Sequence, residues 1–235
     1  MKSERHFTNA ALLARRQAAV ARGVGQSHEI FIQKAENAEF WDVEGRRFID
    51  FVAGMARLVA EEARSEDYLL AQATAMMKEL VAVDDWLMDE MARPHAQYYQ
   101  QHLLYGDPLD RFSVVSFVWG PGQQTPVHDH TVWGVIGMLR GAEYGQRYEM
   151  REHGLVATGP GERLEAGQVI AVSPAIGDIH RVRNAFDDAV SISIHAYGGN
   201  IGKIQRSVFE TGTRVAKPFV SGYANTMTPN LWRSA

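Results

Sequence analysis

Gly122-Gln123-Gln124-Thr125-Pro126-Val127-His128-Asp129-His130-Thr131-Val132-Trp133-Gly134, running on to Gly141, sets two histidines in a frame made by Gly122, Gly134 and Gly141. Five residues separate Gly122 from His128, three separate His130 from Gly134, and six separate Gly134 from Gly141. A second frame follows: Gly167, six residues, Pro174, two residues, Gly177, two residues, His180, three residues, Asn184. Residues two apart in a strand project to the same face, so His128 and His130 should point inward together, with Asp129 turned away. His180 begins a separate strand that barrel closure can bring to the same point. A lone His-x-His pair arises by chance on exposed strands. Two glycine frames and a framed third histidine point instead to a metal site.

The surrounding sequence is a series of short strands between Gly, Pro and Asp turns. Expected strands are Phe112–Trp119, Val127–Thr131, Val135–Arg140, Glu143–Arg151, Gln168–Val172, His180–Asn184 and Ala189–Tyr197. Many short strands at regular spacing suggest an antiparallel barrel or jelly roll. The two frames resemble the two halves of the cupin metal site, in which the position of Gly134 is usually a metal-binding Glu. The expected fold is therefore mainly β, a cupin (double-stranded β-helix, jelly-roll barrel) with N-terminal helices.

Losing that carboxylate changes the chemistry. Three neutral imidazoles leave a divalent metal its full charge, which favours direct binding of an anion such as a thiolate or enolate. Three facial ligands also leave positions open for a bidentate substrate and for O₂. Imidazole alone does not choose among iron, zinc, nickel and copper. A further clue is Ser193-Ile194-His195-Ala196-Tyr197, where alternation places Ser193, His195 and Tyr197 on one face. A hydroxyl, an imidazole and a phenol in register can form a relay that aims the Tyr197 hydroxyl at the open side of the metal. A solvent-facing polar edge is the plainer alternative.

From about Val52 onward the chain resembles the bacterial thiol dioxygenases of the cysteine dioxygenase family. The resemblance rests on Tyr98–Leu104, Phe112–Gly122, the run from His128 to Gly141, Gly177–His180, Ser193–Tyr197 with its continuation to Ile201, and Lys217–Tyr223. It implies ferrous iron, Fe(II), held by His128, His130 and His180, with Ser193, His195 and Tyr197 as an outer relay. It also implies a small thiol and O₂ as partners, both oxygen atoms going to sulfur to give a sulfinate. Two departures are informative. Mammalian relatives link a cysteine to the active-site tyrosine, and this chain has no cysteine, so Tyr197 is unmodified. They also hold the substrate carboxylate with an arginine, where this chain has Gln101. That resembles the subgroup acting on 3-mercaptopropionate, in which Arg206 falls where a later arginine would meet the carboxylate.

Residues 1–48 read differently from the cupin domain expected over 49–235. Asn9–Ala21 should be helical, Glu29–Lys34 and Ala38–Val43 are β-prone, and Glu44-Gly45 marks a turn before Arg47–Ile49. This stretch resembles the extreme N-terminus of class III aminotransferases that use pyridoxal phosphate, without their cofactor lysine or phosphate site. It reads as an extension with no catalytic role. Residues 49–104 are expected to be helical, with Ser65 as a cap and Leu69, Ala73, Met76, Met77 and Leu80 at helical spacing.

With 235 residues and 46% hydrophobic side chains the chain can bury a core without disulfides. A net charge of −4 gives no electrostatic case for nucleic acid or an anionic membrane. No apolar stretch nears the roughly 20 residues of a membrane span, and the N-terminus lacks a secretory signal, so a cytoplasmic location is expected. Oligomeric state is not readable. Two other functions share the histidine triad: a cupin isomerase, lyase or dioxygenase acting on a diketone or sugar, and a non-enzymatic cupin sensor. The Ser193–Tyr197 strand argues against the first, and the lack of a DNA-binding module against the second.

Overall fold

The computed structural model describes residues 7–20, 29–36, 39–61 and 64–225. It divides into two compact units, Met1–Gly54 and Met55–Ala235. In the first, helix α1 (Asn9–Ala19) precedes an antiparallel sheet of β1 (Ile32–Glu36), β2 (Glu39–Asp42) and β3 (Arg47–Ile49). Thr8 caps α1 by accepting from the Ala11 amide. Asn9 then ties helix to sheet: its Nδ2 donates to Asp42 (2.8 Å) and its Oδ1 accepts from the Phe31 amide (2.7 Å). The helix ends at Ala19, short of the expected Ala21, which lies outside the described residues.

Helix α2 (Phe51–Ala60) crosses the division, and α3 (Glu66–Leu80) follows. Ser65 caps α3 by accepting from the Tyr68 amide, as its sequence predicts. The buried stripe of α3 is Leu70, Ala73 and Met77. Leu69, Met76 and Leu80 are only half-buried, so the apolar face is turned by about one residue from the expected one. The helical expectation also fails beyond the single 3₁₀ turn at Asp89–Ala92, because β4 (Gln100–Gly106) is a strand. Its helix-tolerant residues are recruited by antiparallel pairing with β5 (Ser113–Trp119), an instance of tertiary context overriding weak propensity.

The remaining strands are β6 (Val127–His128), β7 (Gly134–Arg140), β8 (Ala142–Arg151), β9 (Gly154–Glu165), β10 (Val169–Val172), β11 (His180–Asn184), β12 (Ser191–Tyr197), β13 (Arg206–Phe209) and β14 (Ala216–Phe219). They form a five-stranded sheet, β10-β7-β12-β5-β4, and a six-stranded sheet, β14-β13-β6-β11-β8-β9. From β5 to β13 the chain passes repeatedly between the two sheets, and every pair of named strands is antiparallel. This is the double-stranded β-helix of a cupin. All seven residues of β5 and of β12 are buried, so the relay strand is not a solvent-facing edge. Helix α3 covers the outer face of β7: a Cβ on Gly137 would lie 2.7 Å from Met77 and 2.8 Å from Val81. Burial on both faces explains why β5 and β7 read as continuous apolar runs rather than alternating ones.

Among the described residues no helix is long and apolar enough to cross a membrane.

Candidate metal centre

His128 closes β6, His180 opens β11, and the two are register partners across the six-stranded sheet. His130 lies two residues past the end of β6, so it does not reach the site by the strand alternation expected over Val127–Thr131. It is turned inward by a clamp. Asp178 accepts from the backbone amides of His130 and Thr131 through one oxygen, both at 2.8 Å, and meets His130 Nδ1 with the other at 2.7 Å. Thr131 holds a φ of 61°, uncommon for a β-branched residue, and that amide bond helps fix it.

The outcome is a triangular cluster. The three rings have centroids 5.0, 4.9 and 4.9 Å apart, and one nitrogen from each lies within 4.8 Å of the others. Asp178 engages Nδ1 of His130, and the Pro126 carbonyl lies 3.1 Å from Nδ1 of His128, which leaves Nε2 of both rings for a metal. Burial, then the neighbouring imidazoles, pushes His128 down to about 3 and His180 well below the ordinary range. Neutral imidazoles are the form that ligates, so this donor set fits a divalent ion of the iron or zinc type. For Asp178, burial alone would raise the carboxyl, but its bonds to His130 and Thr131 hold it below the usual range. A carboxylate therefore remains beside the three-imidazole cluster, bonded to the His130 ring.

The customary ligand position is closed. A Cβ on Gly134 would lie 2.7 Å from Cδ1 and 2.9 Å from Cε1 of Tyr197. The tyrosine ring fills the space an acidic side chain would need, and it stacks on His130 with centroids 5.0 Å apart.

Ser193, His195 and Tyr197 form a continuous chain along β12. The Tyr197 hydroxyl is 2.7 Å from His195 Nδ1, and His195 Nε2 is 2.8 Å from Ser193 Oγ. Burial pushes the Tyr197 phenol far above its ordinary value, and burial with the nearby imidazoles pushes His195 well down, so both are uncharged near neutral pH. Sequence reasoning stopped at Ser193, but the chain does not. Ser193 Oγ is 3.0 Å from Glu143 Oε2 and accepts from Trp119 Nε1–H at 3.1 Å. Glu143 is fully buried, and desolvation pushes its carboxyl up to about 7, although the Ser193 hydrogen bond favours the charged form.

Arg206 and Gln101 meet at the C-terminal segment. Arg206 Nη2 donates to Ser221 Oγ at 2.7 Å, its guanidinium lies over the Phe219 ring, and its Nε–H has no hydrogen-bond partner among the described residues. Only 4% of Arg206 is exposed. Gln101 Nε2 donates to Ser221 Oγ (3.3 Å) and to the Gly222 carbonyl (3.1 Å), which uses both its N–H groups. Gln101 thus holds the segment that holds Arg206. The Arg206 charge tends to lower the values of Tyr197, Tyr99 and His128, each secondary to burial.

The sequence model of the family described as "Cysteine dioxygenase type I" matches residues 48–208. The chain belongs to that family. Its matched span contains all three histidines, the Ser193–His195–Tyr197 strand, Glu143, Gln101, Asp178 and Arg206. The chain has no cysteine to link to Tyr197, which is therefore a plain phenol. The N-terminal stretch has other relatives. It is 61% identical over 51 residues to 5-aminovalerate aminotransferase DavT of Pseudomonas aeruginosa and 53% identical over 51 residues to 4-aminobutyrate aminotransferase GabT of Escherichia coli. Each match covers 22% of this chain and 12% of the relative, so the chain spans about an eighth of their length. Among solved structures, a conserved protein with a double-stranded β-helix domain from Klebsiella pneumoniae aligns over 54% of this chain and 99% of its own, at 19% identity and TM-score 0.41. An RmlC-like cupin from Desulfovibrio desulfuricans aligns over 48% and 94%, at 21% identity and TM-score 0.35.

Proposed function

We propose that this chain is a non-haem iron thiol dioxygenase that converts the thiolate of a small carboxylic acid to a sulfinate, RS⁻ + O₂ → RSO₂⁻. The observation that carries the reading is a buried three-imidazole cluster backed by a hydrogen-bonded Ser193–His195–Tyr197 chain. Ferrous iron held by His128, His130 and His180 would supply a Lewis-acidic, redox-active centre for joining sulfur and O₂. Around it the residues have separable tasks. Arg206 offers a buried guanidinium N–H to the substrate carboxylate. Tyr197 holds a proton at its hydroxyl beside the ligands, and the aromatic walls of Phe117, Trp119 and Tyr99 exclude water. A cysteine-free chain and a ferrous site suit a reducing cytoplasm. Residues 1–48 are read as an extension without a catalytic role, and 49–235 as the catalytic domain. Metal analysis with O₂ uptake and sulfinate detection across a thiol panel tests the reading. Metal binding without thiol-dependent O₂ uptake would overturn it.

Tyr197→Phe removes one hydroxyl while keeping the ring that packs on Gly134. It is expected to retain iron and to slow turnover by about 10–100-fold, the usual effect of losing a partner just outside the ligands. Loss of iron in that variant would make Tyr197 a ligand and contradict the assignment.

Substrate choice follows from Arg206 and Gln101. With both amide N–H groups engaged, Gln101 offers a carboxylate no charge-assisted contact, a loss of roughly 1.5–3 kcal/mol compared with an arginine there. Cysteine, chelating through sulfur and nitrogen, would direct its carboxylate to that position. 3-Mercaptopropionate has no amine and can turn its carboxylate to Arg206. We therefore expect a kcat/KM for 3-mercaptopropionate about 10–100-fold above that for cysteine, with KM raised in Arg206→Ala. Equal kcat/KM values would refute the specificity claim and leave the dioxygenase reading intact.

A further inference from the structure

Glu143 lies at the far end of the β12 chain from Tyr197, and nothing derived above gives it a task. It also faces a cavity of about 580 Å³ whose walls include His180, Val172, Leu164, Arg147 and Arg163. Its carboxylate has one hydrogen-bond partner among the described residues, Ser193 Oγ. Counting hydrogens at Ser193 shows why this matters. The serine oxygen has one hydrogen to give and two lone pairs to receive with, and it meets Trp119, Glu143 and His195. Trp119 Nε1–H can only donate, so one lone pair is always taken.

Two arrangements remain. If Glu143 is a carboxylate it can only accept, so Ser193 must donate to it. His195 then donates from Nε2–H to Ser193, and its bare Nδ1 accepts the Tyr197 hydroxyl hydrogen. If Glu143 is protonated, its hydrogen finds a partner among the described residues only from Oε2, the oxygen facing Ser193; Glu143 then donates and both lone pairs of Ser193 are filled. Ser193 must then donate to His195 Nε2, His195 carries its hydrogen on Nδ1 and gives it to Tyr197, and the Tyr197 hydroxyl hydrogen is freed toward the metal side. The two arrangements differ by one proton on Glu143 and by the direction of every bond in between.

We propose that Glu143 is the positioning residue that sets, through Ser193 and His195, whether the Tyr197 hydroxyl donates into the site or away from it. Burial brings its carboxyl close enough to neutrality for both forms to be reached. His195, pushed well down by burial and by the nearby imidazoles, stays neutral and can respond only by changing tautomer. Other charged or titratable groups face the same cavity: Lys78 from α3, Arg147 from β8 itself, Glu162 and Arg163 from β9, and His180 from β11. Arg163 is engaged with Glu165 and Tyr144, and Arg147 with the Ile176 carbonyl. The catalytic meaning of this switch rests on the dioxygenase reading, but the hydrogen-bond count does not.

The test is ¹⁵N imidazole NMR on the full chain loaded with diamagnetic zinc, followed from about pH 5.5 to 9. His195 of the wild type is expected to carry its hydrogen on Nδ1 at the acid end and on Nε2 at the alkaline end. E143Q, uncharged at every pH, should show one tautomer throughout, and S193A should uncouple His195 from Glu143. A wild-type tautomer that does not change, or an E143Q protein that switches as the wild type does, would overturn the proposal. With iron and thiol, kcat of the wild type should fall about tenfold per pH unit on the alkaline side, and that limb should vanish in E143Q. Thiol-independent behaviour of the iron protein would defeat the dioxygenase reading alone, because the NMR result decides the role of Glu143 without it.

Discussion

His180→Ala is expected to leave a folded barrel that has lost most of its iron and more than about 100-fold of its activity, beyond the 10–100-fold typical of residues just outside the ligands. His180 opens β11 opposite His128, and its ring has no protein hydrogen bond among the described residues that a truncation would orphan. Backbone pairing of β11 with β8 does not depend on its side chain. Two imidazoles remain, and neutral nitrogen donors in that number hold ferrous iron weakly. His128→Ala should behave alike. His130→Ala should do more damage, since Asp178 would lose a buried partner and a loop fixed by it. Metal content by elemental analysis and the far-ultraviolet spectrum separate these cases. Full iron retention in folded His180→Ala would refute this ligand set.

E143Q should change how stability depends on pH by roughly 3 kcal/mol. The folded-state value of Glu143 is raised, from 4.5 in the unfolded chain to about 7. The native state therefore holds a proton that the unfolded state has released, and stability falls as pH rises between those values. The contribution is intact below 4.5 and lost once pH passes about 7. Histidines that are neutral when buried charge on unfolding in the same region and slope the other way, so one curve mixes the effects. The difference between E143Q and wild type isolates the glutamate. Urea unfolding of the metal-free proteins should show the variant gaining on the wild type as pH rises from 4.5 to about 7, with the difference level above that. A difference that stays constant would mean that Glu143 is charged throughout.

The sequence disclosed the barrel and the three-histidine cluster because both are written in local spacing. Glycines at turns, histidines at fixed offsets and alternation along Ser193–Tyr197 need no knowledge of what packs where. What stayed hidden depends on contacts between distant segments. Asp178 sits beside His180 in sequence, yet its work is done on His130, 48 residues earlier. Glu143 looks like an ordinary strand residue until the fold sets it against Ser193 from another sheet. β4 and the turned stripe of α3 were misread for a related reason: pairing with β5 and packing on Gly137 outweigh propensities worth only tenths of a kcal/mol per residue. Ser221 lies in the Lys217–Tyr223 stretch that carries the resemblance, but its hold on both Gln101 and Arg206 is visible only in the fold.

The contact between Gly134 and Tyr197 has a consequence for how such a centre can change. Restoring an acid at position 134 looks like a single substitution from three-imidazole to mixed chemistry, but the volume it needs is already taken by the phenol. Either the acid or the phenol can occupy that space. Moving from one to the other requires at least two coordinated substitutions, and the intermediate either lacks both groups or forces both into one space. The two chemistries are therefore separated by a steric barrier in sequence space, and the smallest residue in the site is the one that keeps them apart.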